Sequence, residues 1–375
     1  MIYLDNAAST SLDHEVYEYM VQCMKNYYGN PSSVHSPGRS SKELIETSRL
    51  LIACHLDVKP SEIYFTSCAT EAINTAVAGV AFSLGIKSII TTAIEHHAVF
   101  HSIDLLNKKT PISVSFVRMD KNANLDLDHL EELLKDTEKA LVIIMHANNE
   151  TGTLFPVTEI SRLCRDYHAF FLCDMVQSMG KYPNRLSDQR PDISCCSAHK
   201  LHGPKGTGFL FLNDNIKIHP LITGGGQERN MRSGTENIHG IAGMAKAFEV
   251  AYRDMVQNTA YISGLKSYFV ENLKLNFPEI VFNASCDLKG LYNIISISVP
   301  DEYNNQAIIQ KLDAYNIAVS GGSACNSGDV ISSHVLRSIL PDATLPAIRF
   351  SLSKYNTSEE IDQTIAILKI ILLKK

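Results

Sequence analysis

The chain has 375 residues, a formal net charge of −6 and 45% hydrophobic residues, enough to bury a large core and to divide into one large and one smaller domain. Its Lys and Arg residues are scattered rather than blocked, which excludes a nucleic-acid surface, and no apolar run reaches membrane-spanning length. The nine cysteines form no C-x-x-C pair and lie mostly in apolar segments, which excludes a disulfide framework or zinc ribbon and predicts an untargeted, soluble protein of a reducing cytoplasm.

In chain order, Ile2-Tyr3-Leu4-Asp5-Asn6-Ala7-Ala8 reads as a short strand turning into polar loop, and residues 15–25 have helical spacing. Tyr28-Gly29-Asn30-Pro31-Ser32-Ser33 is irregular because Gly, Asn and Pro cluster there. Asn30 is either a turn former or a group reaching into a cleft. Residues 62–66 read as a strand, Ser67-Cys68-Ala69-Thr70 as a turn, and residue 71 onward as a helix with Ile73, Ala76, Val77 and Val80 on one face. A strand feeding small residues at a helix start aims unpaired N–H groups and the positive dipole end at one spot, which suits a phosphate. Thr70 adds a hydroxyl there or caps its own helix.

The strand 88–92 ends in Ile94-Glu95-His96-His97, where a second helix starts. The His pair lacks nearby Asp, Glu or Cys partners at ligand spacing, so no metal is expected. His96 reads either as an ordinary loop histidine or as an aromatic plate over a ligand ring. The run Leu141-Val142-Ile143-Ile144-Met145 is apolar on both parities, the mark of a strand covered on both faces. It delivers His146-Ala147-Asn148-Asn149-Glu150 to the sheet's carboxyl edge. A strand at 169–173 then delivers Asp174 and Gln177. This alternation of strands and helices predicts a doubly wound, mainly parallel α/β sheet with ligands at the carboxyl ends of its strands.

The next apolar run, Ile193-Ser194-Cys195-Cys196, leads into Ser197-Ala198-His199-Lys200 and then a Gly203-Pro204 turn that continues neither helix nor strand. A lysine delivered by a buried strand loses solvation, its amine is more often neutral, and a neutral amine attacks a carbonyl. Lys200 can therefore hold an aldehyde cofactor; taken alone it is also an ordinary lysine at a turn. Residues 208–212 give another strand, Gly224-Gly225-Gly226-Gln227-Glu228-Arg229 a flexible link rather than a G-x-G-x-x-G turn, and Arg232-Ser233-Gly234-Thr235 precedes a long helix. Beyond Met255 the pattern changes, which predicts a large domain at 15–254 and a smaller α+β domain from 1–14 and 255–375. In that second domain small and polar residues surround Cys325, predicting a solvent-reachable loop whose thiol can ionise and react. Cys164, Cys173, Cys195 and Cys196 lie in apolar segments and read as inert core. Arg349, on a strand at 347–352, either grips a carboxylate bidentately or makes a salt bridge within its domain. The last helix, at 358–373, carries an apolar stripe of Ile361, Ile365 and Leu368.

The ordered motifs are Tyr3-Leu4-Asp5-Asn6-Ala7-Ala8, Gly29-Asn30-Pro31-Ser32, Ala69-Thr70-Glu71, Glu95-His96, His146-Ala147-Asn148-Asn149-Glu150, Asp174-x-x-Gln177-Ser178, Ser197-Ala198-His199-Lys200, Arg232-Ser233-Gly234-Thr235 and Gly322-Ser323-Ala324-Cys325. Together they closely resemble the NifS/IscS-type cysteine desulfurases, class V members of the fold-type I pyridoxal 5'-phosphate enzymes, over nearly the full length. The resemblance implies that Lys200 holds the coenzyme as a Schiff base and moves the substrate's α-proton. It also implies that Asp174 pairs with the pyridine nitrogen, that Gln177 and Asn149 face the ring hydroxyl, and that His96 stacks on the ring. The phosphate falls to Ala69, Thr70, Ser197 and His199, with Thr235 reaching it from the neighbouring subunit of a homodimer. By the same resemblance Asn30 and Arg349 would bind the carboxylate of L-cysteine, and Asn149 would also touch the substrate. The resemblance further implies that Cys325 takes the sulfur as a persulfide and passes it to an acceptor protein, for iron–sulfur cluster assembly or another thiolation system. An aminotransferase or selenocysteine lyase on the same scaffold is the alternative. Three positions depart from the family: Cys68 where glycine is usual, Gly321 where serine is common, and Asn326 where threonine is common.

Overall fold

The computed structural model describes residues 1–287, 289–299, 305–321, 333–339 and 347–373. Strand β1 (Ile2–Tyr3) opens the chain, followed by α1 (His14–Asn26), α2 (Ser36–Leu56), β2 (Ile63–Thr66) and α3 (Ala69–Leu84). Then come β3 (Ser88–Thr91), α4 (His97–Lys109), β4 (Ser113–Phe116), β5 (Ala140–Ile143), β6 (Phe170–Asp174), β7 (Ile193–Ser197) and β8 (Gly208–Leu212). Strands β2 to β8 form a seven-stranded sheet in the order β2-β8-β7-β6-β5-β3-β4. Only β8 runs antiparallel to its neighbours, β2 and β7; the other pairings are parallel.

The alternating parity of the strands divides the core. Ile89, Leu141, Ile143, Leu172, Cys195 and Leu210 pack with α3 and α4 on one face. Ile90, Val142, Phe171, Cys173, Cys196 and Phe209 pack on the other face with α1, α2 and the helix Ile238–Arg253. A two-layer cover of this kind explains why β5, β7 and β8 are buried at every position. The mainly parallel sheet flanked by helices is the architecture that the sequence predicts.

The helix Met255–Asn276 leads into a second, three-stranded antiparallel sheet of β9 (Val281–Phe282), β10 (Ile294–Ser298) and β12 (Ala347–Ser351), with β10 in the middle. Strand β11 (Ile317–Ala318) pairs in parallel with β1. Leu4, Phe269, Ile295, Ile297, Ile348 and Phe350 share one core with Ile361, Ile365 and Leu368 of the helix Ser358–Leu373, so the N-terminal strand packs with the C-terminal region. Among the described residues no helix is long and apolar enough to cross a membrane.

Two segments differ from the sequence reading. Helix α2 occupies residues to which the sequence reading assigns no element, with Pro37 and Gly38 at its start. Proline is tolerated there since the first N–H groups of a helix lack intrahelical partners, and the His35 ring accepts from the Gly38 N–H at 3.2 Å. The supposed flexible link is anchored: Glu228 is buried and accepts from Arg49 Nη1 and Nη2, each at 2.8 Å, and from the Phe65 N–H.

Candidate active site

The lysine turn begins where β7 ends. The Ser197 hydroxyl accepts from the Ala69 N–H at 2.8 Å, joining the end of β7 to the first turn of α3. A single 3-10 turn, Ala198–Lys200, then aims the Lys200 amine at the N-terminal segment. It donates to the carbonyl oxygens of Ala7 at 2.6 Å and Ala8 at 2.8 Å. Gly203 keeps the turn tight, since a Cβ there would meet the Ala198 carbonyl oxygen at 2.9 Å.

Helix α3 presents its N-terminus to the same place. Cys68 precedes it with extended backbone and makes no side-chain cap, so a side chain is accommodated where the family favours glycine. Thr70, exposed in the first turn, does not cap the helix either. Glu71 accepts from the Ser67 N–H at 2.9 Å and pairs with Arg232 at 3.0 Å. The His199 ring stands 3.3 Å from the Ser9 hydroxyl, and burial followed by the charges of Lys200 and Lys205 pushes it down to about 4.

Strand β6 ends at Asp174, which is buried and accepts from the Val176 N–H at 2.9 Å. Burial raises its carboxyl, while the neighbouring His96 and Lys200 pull it back toward the ionised form. Gln177 donates from Nε2 to the Ala7 carbonyl at 2.9 Å, leaving Oε1 buried without a hydrogen-bond partner. His96 caps α4, accepting from the Ala98 N–H through Nδ1 at 3.0 Å. Burial depresses its basicity, so the neutral ring carries its proton on Nε2. His97 turns away instead, toward His101 and His334.

Arg349 arrives from β12. It is fully buried, pairs with Asp5 at 2.9 Å, and donates from Nη1 to the Asn149 carbonyl at 2.8 Å, with Nε unpartnered. The salt bridge anticipated as one alternative is therefore present, and the same guanidinium lines the cleft. Ala69, Thr70, His96, Asn149, Asp174, Gln177, Ser197, His199, Lys200 and Arg349 all face one cleft of about 940 Å³, a volume that includes its open mouth.

Two predicted residues stand elsewhere. Asn30 is exposed and its Oδ1 accepts from the Ser32 N–H at 2.9 Å, so it forms the turn rather than lining this cleft. Thr235 is exposed beside Phe65, Ser67 and Glu236, apart from the residues around Lys200. Cys325 and Asn326 lie outside the described residues. At Gly321 an added Cβ would meet the mobile end of the Ile309 side chain, Cδ1, at 2.7 Å and the Ala347 carbonyl at 3.2 Å. Cys164, Cys173, Cys195 and Cys196 are buried, and burial pushes each thiol up, away from thiolate chemistry.

Residues 2–364 match the model of the aminotransferase class-V family. The chain belongs to the class-V aminotransferase family. This class-V chain is 40% identical to the protein named cysteine desulfurase IscS of Dictyoglomus turgidum, over all of this chain and 95% of that one. It is 36% identical to a putative cysteine desulfurase IscS 1 of Bacillus subtilis, over 96% and 95% of the two chains. A solved NifS-like protein superposes with a TM-score of 0.91 at 37% identity, covering both chains fully. The family works with pyridoxal 5'-phosphate, and the class-V cleft fits that group. A buried acceptor stands ready at Asp174, the orphaned Gln177 Oε1 suits a ring hydroxyl, and the α3 N-terminus suits a phosphate.

The carbonyls of Ala7 and Ala8 and the half-buried Lys181 carry no role in the sequence reading, and Glu95 enters it only within the Glu95-His96 motif. Backbone carbonyls leave no residue-type signal, and only the Asp5-Asn6-Ala7-Ala8 motif marked their position.

Proposed function

We propose that this chain is a pyridoxal-phosphate-dependent cysteine desulfurase. It converts L-cysteine to L-alanine, places the sulfur on Cys325 as a persulfide, and passes it to an acceptor protein. The observation that carries this reading is the convergence of the Lys200 amine, the Asp174 carboxylate, the Gln177 amide and the His96 ring on one cleft closed by Arg349. The names of its full-length relatives support the choice of reaction.

Bound in the cleft, pyridoxal phosphate supplies an electron sink for the carbon framework of the substrate. Lys200 would provide the amine that holds the group and the base that moves the proton of the substrate's α-carbon. Asp174 keeps a proton on the ring nitrogen. The His96 ring presents Nε2–H to the cleft as a proton donor. Thr70, Ser197, His199 and the α3 N-terminus hold the phosphate, and Arg349 with Asn149 orients the substrate carboxylate. Sulfur transfer balances without an external oxidant. The Cys325 thiolate bonds to the substrate sulfur, the carbon–sulfur bond breaks with its electron pair left on carbon, and a proton completes the methyl group of alanine.

We also read the enzyme as a cytoplasmic homodimer, with the large unit at 15–254 and the small one at 1–14 and 255–375. The deciding experiment incubates the pure protein with pyridoxal 5'-phosphate, L-cysteine and a thiol reductant, and quantifies alanine, pyruvate and sulfide. Equal alanine and sulfide are expected. Lys200→Ala should lose the coenzyme absorbance band, and Cys325→Ala should keep the band while releasing almost no sulfide. Full sulfide release by Cys325→Ala would remove the persulfide step.

A further inference from the structure

Lys181 has no part in the reading above, yet it sits directly behind the lysine turn. Gly180 before it has φ +71°, and a Cβ there would meet the Leu201 Cβ at 3.2 Å, so the two turns are in close contact. The Lys181 ammonium donates to the carbonyl oxygen of Gln177 at 2.9 Å and to that of Lys200 at 3.3 Å. Those acceptors belong to the turn after β6 and the turn after β7, the two that bring Gln177 and Lys200 into the cleft. One side chain ties both backbones together.

The charged and titratable groups around it are Lys200, Cys196, His202, Lys354 and Asp13. Lys181, Lys200, Asp13, His202 and Lys354 line a second cavity of about 580 Å³, on the side of Lys200 toward the small sheet. Asp13 is engaged by Lys354 and by the Tyr355 hydroxyl, and among the described residues no carboxylate pairs with Lys181. Burial first, and then the charge of Lys200, press the Lys181 ammonium down to about 8. The effect of one amine on the other is mutual, because Coulomb repulsion between two like charges raises the cost of either.

We propose that Lys181 is a positioning residue for the Lys200 amine: its ammonium fixes the Gln177 and Lys200 turns in register and, as a second cation beside it, favours the neutral, nucleophilic form of Lys200. This inference rests on the reading of Lys200 as the coenzyme lysine. A neutral amine at that position is what attack on an aldehyde requires.

The test follows uptake of pyridoxal 5'-phosphate by the coenzyme-free full-length protein, as the growth rate of the absorbance band across a pH series. In Lys181→Met the midpoint of that profile should move upward by about one pH unit, with uptake roughly tenfold slower on the acidic side. Lys181→Arg, which keeps charge and donors, should retain the wild-type midpoint. If Lys181→Met does not fold, Lys181→Gln carries the same prediction, since it too removes the charge. An unshifted midpoint in a folded neutral variant overturns the proposal, even where its melting temperature falls. Lys200→Ala separates the two readings. If it still gains the band, the coenzyme-lysine assignment itself fails; if it gains none while Lys181→Met keeps the wild-type profile, only the role of Lys181 fails.

Discussion

Glu95 is a carboxyl group with no access to solvent. Its Oε1 accepts from the Thr92 hydroxyl at 2.8 Å and the Met145 N–H at 3.1 Å, while Oε2 is buried without a partner. Burial pushes the group up to about 8, with Asp174 adding to the rise and the two hydrogen bonds opposing it. The folded chain therefore holds a proton at neutral pH that the unfolded chain has released. Between the ordinary 4.5 and about 8 the unfolded state binds fewer protons, so this group's contribution to stability is lost as pH rises through that window. Glu95→Gln is neutral at every pH and should remove the loss. Thermal melts should show a gain of a few degrees at about pH 8.5 and almost none at about pH 5. Equal destabilisation at both would show that Glu95 is ionised in the fold.

At the scale of elements, Glu228, Arg229 and Asn230 hold φ values of 45°, 55° and 67° in succession. Such backbone costs on the order of 1–3 kcal/mol per residue and persists only where its surroundings over-determine it. Here the restraint is the paired guanidinium of Arg49 on α2, which also donates to the Ile63 carbonyl and lies over the Phe65 ring. Arg49→Met should leave Glu228 buried and unpaired and cost about 3–5 kcal/mol, read as a lower urea midpoint; an unchanged midpoint would mean that the run holds itself. This anchor was not legible in the sequence, because a charged residue after three glycines reads as solvent-exposed loop and its partner lies 179 positions away. The strand ends were legible for the opposite reason. Apolar runs that fill both faces of a sheet stop at its edge, and the polar residue that follows, Asp174 or Lys200, has to stand in the cleft. Long-range partners such as the Ala7 carbonyl for Gln177 could come only from the fold.

At the scale of the whole molecule, the proposed homodimer makes it testable which subunit Thr235 would serve. It lies outside the cavity that holds Lys200 in its own chain, while Glu71 at the start of α3 anchors the nearby Arg232. A groove of about 660 Å³ between α3, α4 and residues 219–221 leaves Phe82, Leu105 and Leu221 about half exposed, apolar surface suited to burial against a second copy. If Thr235 completes the phosphate site of a partner subunit, two defects on separate chains should complement each other. Lys200→Ala lacks the amine but carries an intact Thr235, and Thr235→Ala has the reverse. In a hybrid dimer the Lys200 of the second chain meets the Thr235 of the first, so one of the two sites is whole. Mixed, subunit-exchanged preparations should then bind pyridoxal 5'-phosphate with wild-type affinity at that site, although Thr235→Ala alone binds it more weakly. If hybrids bind no better than the Thr235→Ala parent, the threonine acts within its own chain or not at all, and the shared site is excluded.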